Sequence, residues 1–244
     1  PKGTASRLFP VRGNAVFRTG WGPDDAILLF RAGPNFNHNH ADQGSFLLRA
    51  FGENLAVDAG YADYYKDPYY PTYFSQAAGH NVVLVDGDPA SQSVADTRQF
   101  SALSGYPRIT ASITSEFYDS VASELDAVYQ GRLRRFRRRV IFVKPRFVLV
   151  RDQLEAAAGS ATYDWLLHVN DKAGLSTGDG VAEYRGSKAS LAVRVLSPTR
   201  VTMNVAAAGV ANPATFTATV NAPDPCSSHG VLVIGTAVTG NLAN

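Results

Sequence analysis

The sequence predicts an all-β protein: a large antiparallel β-sandwich of two or more stacked sheets, with few or no helices. Short runs of β-branched and aromatic residues recur along the chain, separated by glycine, proline, asparagine and aspartate. No stretch keeps a helical period for longer than about two turns. Consecutive strands without crossover helices favour antiparallel sheets over a parallel α/β arrangement.

The apolar runs place the strands in order along the chain. Two of the intervals between them are short enough for hairpins, one at Gly52-Glu53-Asn54 and one at Lys144-Pro145-Arg146. Residues 120–129 fit either a short helix or an alternating strand. The predicted strands are residues 15–17, 26–30, 45–50, 55–57, 81–85, 140–143, 147–150, 163–169, 191–196, 201–205, 216–220 and 231–234.

Length and composition indicate one globular domain. The 244 residues suffice for a large β domain, and no change in composition marks a boundary, so we predict a single domain over residues 1–244. Apolar residues make up 45% and charged residues 18%, which argues against disorder. A net charge of +2 does not by itself imply a polyanionic partner.

The chain carries few clues to its compartment. Cys226 is the only cysteine, so an intramolecular disulfide is excluded and stability must come from the core or from a metal. The apolar runs are too short for a membrane span. No apolar segment typical of a signal peptide follows Pro1, and a chain that is a mature product would lack one in any compartment.

A polar cluster near the N-terminus is the most informative stretch. His38 and His40 are two residues apart, so on an extended backbone they share one face, roughly 7 Å apart. Asp58 follows the next predicted hairpin and would return to the level of His40, while His80 opens a later strand. Two imidazoles and a carboxylate with an open position for water form an ordinary zinc site. The alternatives are a paired acid–base site, or histidines that are surface or satisfied core residues.

Other polar features have weaker interpretations. His168 and His229 are not part of a comparable polar motif and are predicted to be structural. Six arginines lie within residues 132–139, but their strand parity shifts between Arg134 and Arg135. We therefore favour a solvated strand with a bulge over an anion-binding surface, and we expect no nucleic-acid partner. Six tyrosines within residues 61–73 either stack on sugars or pack their loop onto the sandwich.

Together these motifs resemble the heparinase II/III-like family of polysaccharide lyases. The resemblance covers roughly residues 9–155, and the last third of the chain fits only as further β-strand. Its elements are GW at 20–21, HNHADQGSF at 38–46, VDAGY at 57–61, GHNVVLVDG at 79–87, RRVIFVKP at 138–145 and VRD at 150–152. Each is weak alone, but their order and spacing are specific.

The resemblance implies roles for five residues. The positions that bind metal in the family correspond to His40, Asp58 and His80. The metal is usually zinc and is structural, although another divalent metal remains open. The position that faces the substrate cleft corresponds to His38, and a cleft tyrosine corresponds to Tyr61. His38 and Tyr61 are therefore the catalytic candidates.

The resemblance also implies an activity. Family enzymes join an N-terminal α/α toroid to a C-terminal β-sandwich, and this chain resembles only the sandwich. The expected function is a metal-binding domain of a lyase that cleaves uronate-containing, acidic polysaccharide by β-elimination. The substrates in view are glycosaminoglycan, alginate and bacterial exopolysaccharide. The expected partner is the toroid, without which activity would be incomplete, and the expected location is periplasmic or secreted. The alternative is a non-catalytic sandwich with a structural zinc that binds glycan or docks to a protein.

Overall fold

The strands pair into three antiparallel sheets, which confirms the all-β prediction. The computed structural model describes residues 5–35, 39–60, 66–93, 106–171, 173–178, 180–197, 201–207, 214–222 and 230–240. In chain order the strands are β1 (Arg7–Phe9), β2 (Asn14–Arg18), β3 (Ile27–Arg31), β4 (Phe46–Ala50), β5 (Glu53–Ala56), β6 (Val83–Val85), β7 (Arg108–Thr114), β8 (Tyr118–Glu124), β9 (Leu133–Val143), β10 (Phe147–Ala156), β11 (Ala161–Val169), β12 (Leu175–Gly178), β13 (Val181–Arg185), β14 (Ala189–Ser197), β15 (Thr202–Ala207), β16 (Ala214–Ala222) and β17 (Gly230–Gly240).

The sheets differ in how the chain builds them. The first has five strands in chain order, β1-β2-β3-β4-β5. The second has eight strands in the order β12-β13-β14-β17-β10-β9-β8-β7, so the last strand lies in its middle. The third has four strands in the order β15-β16-β11-β6. An isolated bridge between Val57 and His168 joins the end of the first sheet to β11 of the third.

Side chains from all three sheets share one buried cluster. Trp165 on β11 belongs to this cluster, with its ring centroid 6.2 Å from that of Phe46 and 6.3 Å from that of Phe216. The buried residues alternate with half-buried or exposed ones along β2 and along most of β9 and β10, as strands with one buried face require. Helical structure among the described residues is limited to short turns at Tyr70–Phe74, Ala77–Gly79 and Asp126–Val128. No helix in this part of the chain is long and apolar enough to cross a membrane.

The two predicted hairpins are present, with one correction. Val143 pairs with Phe147 across the loop between β9 and β10, as expected. The β4–β5 turn, however, is formed by Phe51 and Gly52, with φ of 52° and 73°, and Glu53 already belongs to β5. This is the tight two-residue turn whose backbone matches strand twist, and it needs two left-handed residues rather than a polar triplet.

Two further sequence predictions are resolved by the pairing. The ambiguous stretch at residues 120–129 is strand up to Glu124 and then a short helical turn. The parity shift in the arginine run is a bulge, because Glu155 pairs with Arg135 while the next residue, Ala156, pairs with Leu133. The bulge and the exposure of most of the run are therefore confirmed, but Arg138 is fully buried.

Candidate functional site

Three of the predicted site residues lie next to one another. His40 lies in the irregular segment between β3 and β4, Asp58 follows β5, and His80 follows the helical turn at Ala77–Gly79. Nδ1 of His80 is 2.8 Å from Oδ2 of Asp58. The His40 and His80 ring centroids are 5.3 Å apart. The first sheet and the β6 segment thus bring together residues separated by forty positions of sequence.

Burial and mutual charge set the protonation of these groups. Burial lowers the pKa of His80, but its hydrogen bond to the Asp58 carboxylate outweighs this and raises the pKa above its ordinary value. Burial raises the pKa of Asp58, and the same contact with His80 more than reverses the effect. Burial, followed by the nearby His80, lowers the pKa of His40. Hence His40 favours its neutral form, which is the form that binds metal.

The donor chemistry fits a zinc ion, although the described residues do not hold a preformed site. No three histidine, cysteine, aspartate or glutamate side chains among them converge as a metal cluster. Two imidazoles and one carboxylate are nevertheless the donors that zinc takes in proteins. Nε2 of His80 is also buried and has no hydrogen-bond partner in the described chain; the nearby Phe74 carbonyl lies outside hydrogen-bond geometry. Folding alone therefore leaves part of the binding capacity of this ring unused.

The remaining sequence predictions fall partly outside the described structure. His38, Tyr61 and His229 lie outside the described residues, so the structure gives no geometry for them. His168, predicted to be structural, lies fully buried in β11. Burial lowers the pKa of His168 to about 4, so the ring is neutral at pH 7.

Asn81 connects the candidate site to the core, a role that sequence reasoning missed. Its side chain is fully buried, and Nδ2 donates to the carbonyls of Phe46 and Val57, both at 2.8 Å. Its Oδ1 accepts the backbone N–H of His168 at 2.7 Å. His80 precedes Asn81 in sequence, and Asp58 follows Val57. The Asn81 amide therefore fixes the backbone next to both members of the His80–Asp58 pair.

Arg138 supports the same site from the eight-stranded sheet. Its guanidinium binds Asp152 through both oxygens, at 2.8 Å to Oδ1 and 2.6 Å to Oδ2. Nη1 donates to the carbonyls of Gly44 at 2.7 Å and Asn81 at 3.0 Å. Gly44 has a φ of +85°, and a Cβ there would lie 2.5 Å from Cδ1 of Leu125. Arg138 therefore holds the segment after His40 and the residue after His80 in fixed positions.

A second polar network shapes the segment that carries His40. Arg31 binds Asp42 at 3.0 Å and Asn35 at 2.8 Å. The Asn35 side chain also accepts from Gln43 at 2.9 Å, and Gln43 in turn accepts the backbone N–H of Gly33 at 2.9 Å. Among the described residues, the side chain of Asp42 anchors Arg31 and forms no hydrogen bond to the imidazole of His40 or His80. A buried network with satisfied members rigidifies the loop it crosses.

Two grooves on the outer face of the first sheet extend to Asp58. Two shallow grooves, each of about 300 Å³, share Leu29, Leu47 and Asp58 in their walls. Arg31 and Asp42 line the first of them. The arrangement offers an apolar wall with one cation and two carboxylates at its end, which suits a ligand with both apolar and charged parts.

Two tyrosines of the aromatic segment approach the site. The ring of Tyr70 lies 5.9 Å from that of His40, edge to face. Burial raises the pKa of Tyr73 to about 12, and the charge of Asp58 acts in the same direction; the Thr215 hydroxyl opposes both from a position outside hydrogen-bond geometry. Tyr73 is therefore a neutral phenol at pH 7. Tyr69, in contrast, is exposed.

Comparison with known proteins identifies the family. The family model described as "Heparinase II/III-like, C-terminal" matches residues 1–224. The chain belongs to this family, and the match extends well beyond residue 155, where the sequence motifs end. A search of curated proteins finds no significant match.

Solved structures share the fold at low sequence identity. The chain is similar to the heparan sulfate lyase HepC from Pedobacter heparinus, with a TM-score of 0.80 and 17% identity, covering 100% of this chain and 38% of that one. It is also similar to heparinase III, with a TM-score of 0.75 and 18% identity, covering 99% of this chain and 37% of that one. The chain thus spans little more than a third of the length of these relatives.

Proposed function

We propose that this chain is the metal-bearing sandwich of a lyase that cleaves uronate-containing polysaccharide by β-elimination. The observation that carries the proposal is the meeting of His40, Asp58 and His80 from three separate segments, in a chain that belongs to the heparinase II/III-like family. The names of two structural relatives, a heparan sulfate lyase and a heparinase, point to the same substrate class. Export to the periplasm or beyond is part of the proposal and rests on the family resemblance.

The residues divide into supporting and reacting groups. His40, Asp58 and His80 would hold a zinc ion, which when bound supplies cross-linking between three chain segments and no redox chemistry. Arg138 and Asn81 keep the backbone of these segments in place. This fixed frame holds the backbone next to His80, and that of the segment after His40, in place.

The reaction requires a base and a proton donor. A base removes the proton α to the uronate carboxylate, the electron pair forms a carbon–carbon double bond, and the glycosidic oxygen leaves from the neighbouring carbon and takes up a proton. We assign His38 to the base or to neutralisation of the carboxylate, and Tyr61 to proton transfer. Further groups of the active site belong to the toroid, so we expect this chain alone to be inactive or nearly so.

Replacement of His38 tests the catalytic part of the proposal. In the native-length protein, His38→Ala is expected to reduce elimination by at least about 100-fold, because a general acid–base group contributes that much or more. Ultraviolet absorbance of the unsaturated uronate measures turnover on heparan sulfate, alginate and an acidic exopolysaccharide. Arg146→Ala, an exposed change in the loop between β9 and β10, is the control and should retain activity. Equal turnover by His38→Ala would favour a glycan-binding or protein-docking sandwich instead.

Removal of a proposed ligand tests the metal. The native protein should contain about one zinc per chain. Zinc at about 100 times its Kd adds about 2.7 kcal/mol to the folded state, so a chelator should lower the melting temperature. His40→Ala and His80→Ala should each lose the metal and the chelator response, while Asp42→Asn, which changes a neighbouring carboxylate, should keep both. A native protein without metal and without a chelator response contradicts the zinc assignment.

A further inference from the structure

The outer face of the eight-stranded sheet carries an excess of arginine. Exposed or half-buried arginines outnumber glutamates on this face, and β17, which crosses its middle, contributes no charged residue by sequence. The arginines are Arg108, Arg134, Arg135, Arg137, Arg139, Arg151, Arg185 and Arg194, and the glutamates are Glu124, Glu155 and Glu183. The buried charges of these strands, Asp119, Arg138 and Asp152, point inward.

Most of these arginines have a carboxylate partner, and three have none in the part of the chain that the structure describes. Glu124 pairs with Arg108 and with Arg137. Glu155 pairs with Arg134 and lies 3.9 Å from Arg135, and Glu183 pairs with Arg185. Within the described chain, no ion pair or hydrogen bond involves the side chains of the three that remain, which are Arg139, Arg151 and Arg194.

The pairing places these three cations in one band. Arg139 and Arg151 are direct partners across β9 and β10, although like charges in that arrangement disfavour folding. Arg194 lies on β14, beyond β17, where Val233 pairs with Arg151 and Gly235 with Arg194. Strand spacing and rise separate Arg151 from Arg194 by roughly 12 Å. The band therefore runs diagonally over four adjacent strands.

The band lies on the opposite side of its sheet from the candidate site. Arg138 points inward to Gly44 and Asn81, and successive residues of a strand point to opposite faces. Arg139 must therefore point away from the site. A ligand on this band does not occupy the groove beside Asp58.

We propose that Arg139, Arg151 and Arg194 form a secondary binding surface for acidic polysaccharide. The inference takes its ligand class from the proposed function. Guanidinium groups bind carboxylates and sulfates through paired hydrogen bonds, and three unpartnered ones in a line match an extended polyanion better than a compact anion. Such a surface holds the polymer near the enzyme without placing it in the cleft.

Charge-matched variants of the native-length protein separate this surface from general electrostatics. Arg139→Gln with Arg151→Gln removes two unpartnered cations, and Arg134→Gln with Arg137→Gln removes two that glutamates already neutralise. Heparin is the probe, with affinity measured across a salt series. The first pair should weaken binding by about tenfold. It should also lower the slope of log affinity against log salt concentration by about 2, because heparin releases fewer counterions on binding when two contacts are missing. The second pair should change affinity by less than about threefold.

The outcomes distinguish this surface from the proposed function. Equal losses in the two double variants, or none in the first, would overturn the surface. Equal affinity for heparin and for DNA of matched charge would overturn its assignment to polysaccharide. Turnover of a short uronate oligosaccharide should be the same in the first double variant and the native protein, since the band lies outside the cleft. A native protein that binds heparin through this band but forms no unsaturated product would contradict the lyase proposal alone.

Discussion

Replacing Arg138 with methionine is expected to lower the free energy of unfolding by about 3–5 kcal/mol. The Arg138 and Asp152 side chains are both fully inaccessible to solvent. Methionine fills the space but leaves the Asp152 carboxylate uncompensated in the core. The carbonyls of Gly44 and Asn81 lose their donors in the same step. Urea unfolding at pH 7 measures the loss.

The neighbouring strand positions supply the control. Arg137→Met removes an exposed guanidinium that pairs with Glu124 at 3.1 Å, and it should cost less than about 1 kcal/mol. Combining Arg138→Met with Asp152→Leu should restore part of the stability, since the buried charge is gone, but not all of it, because two carbonyls stay unsatisfied. If Arg138→Met costs no more than Arg137→Met, the buried pair does not stabilise the fold.

The fold class was predictable because strand signals are local. Alternating apolar residues and turn chemistry fix β-structure and both hairpins within a few residues of each position. The division into three sheets was not predictable, since it depends on pairings such as β10 with β17 that join residues more than seventy positions apart. The strands β1, β7, β12 and β13 were missed because they are short, exposed or weakly alternating.

The candidate site shows the same division between local and distant information. The motifs singled out His40, Asp58 and His80, and the structure brings these three together. The supporting residues were missed. Arg138 lies in a run of arginines, and residue type alone does not distinguish the buried one from its exposed neighbours. One signal was present: Arg138 shares the strand parity of Phe136, Val140 and other core residues, which predicts an inward side chain. Strand parity does not predict Asp152, the buried partner that compensates the charge of Arg138.

Replacing Asn81 with leucine is expected to destabilise the protein by about 4 kcal/mol, because each buried group left without a partner costs about 1–3 kcal/mol. The carbonyls of Phe46 and Val57 and the backbone N–H of His168 all lose their bond to this amide. Asn81→Asp, which keeps the size, should be no better, since an oxygen would face both carbonyls. Asn54→Leu, an exposed change on β5, should stay within about 0.5 kcal/mol.

The same substitution separates support of the fold from support of the metal site. Because Asn81 anchors the backbone beside Asp58 and His80, Asn81→Leu should also weaken zinc binding by about 10–100-fold, as losses around metal ligands do. Zinc titration under conditions where the variant is folded measures this directly. If stability falls and zinc affinity does not, the Asn81 amide stabilises the contact between the sheets but not the positions of the metal ligands. If stability and zinc affinity fall together, the Asn81 side chain links the packing of β4, β5 and β11 to the geometry of the metal ligands. The metal site then depends on this part of the fold.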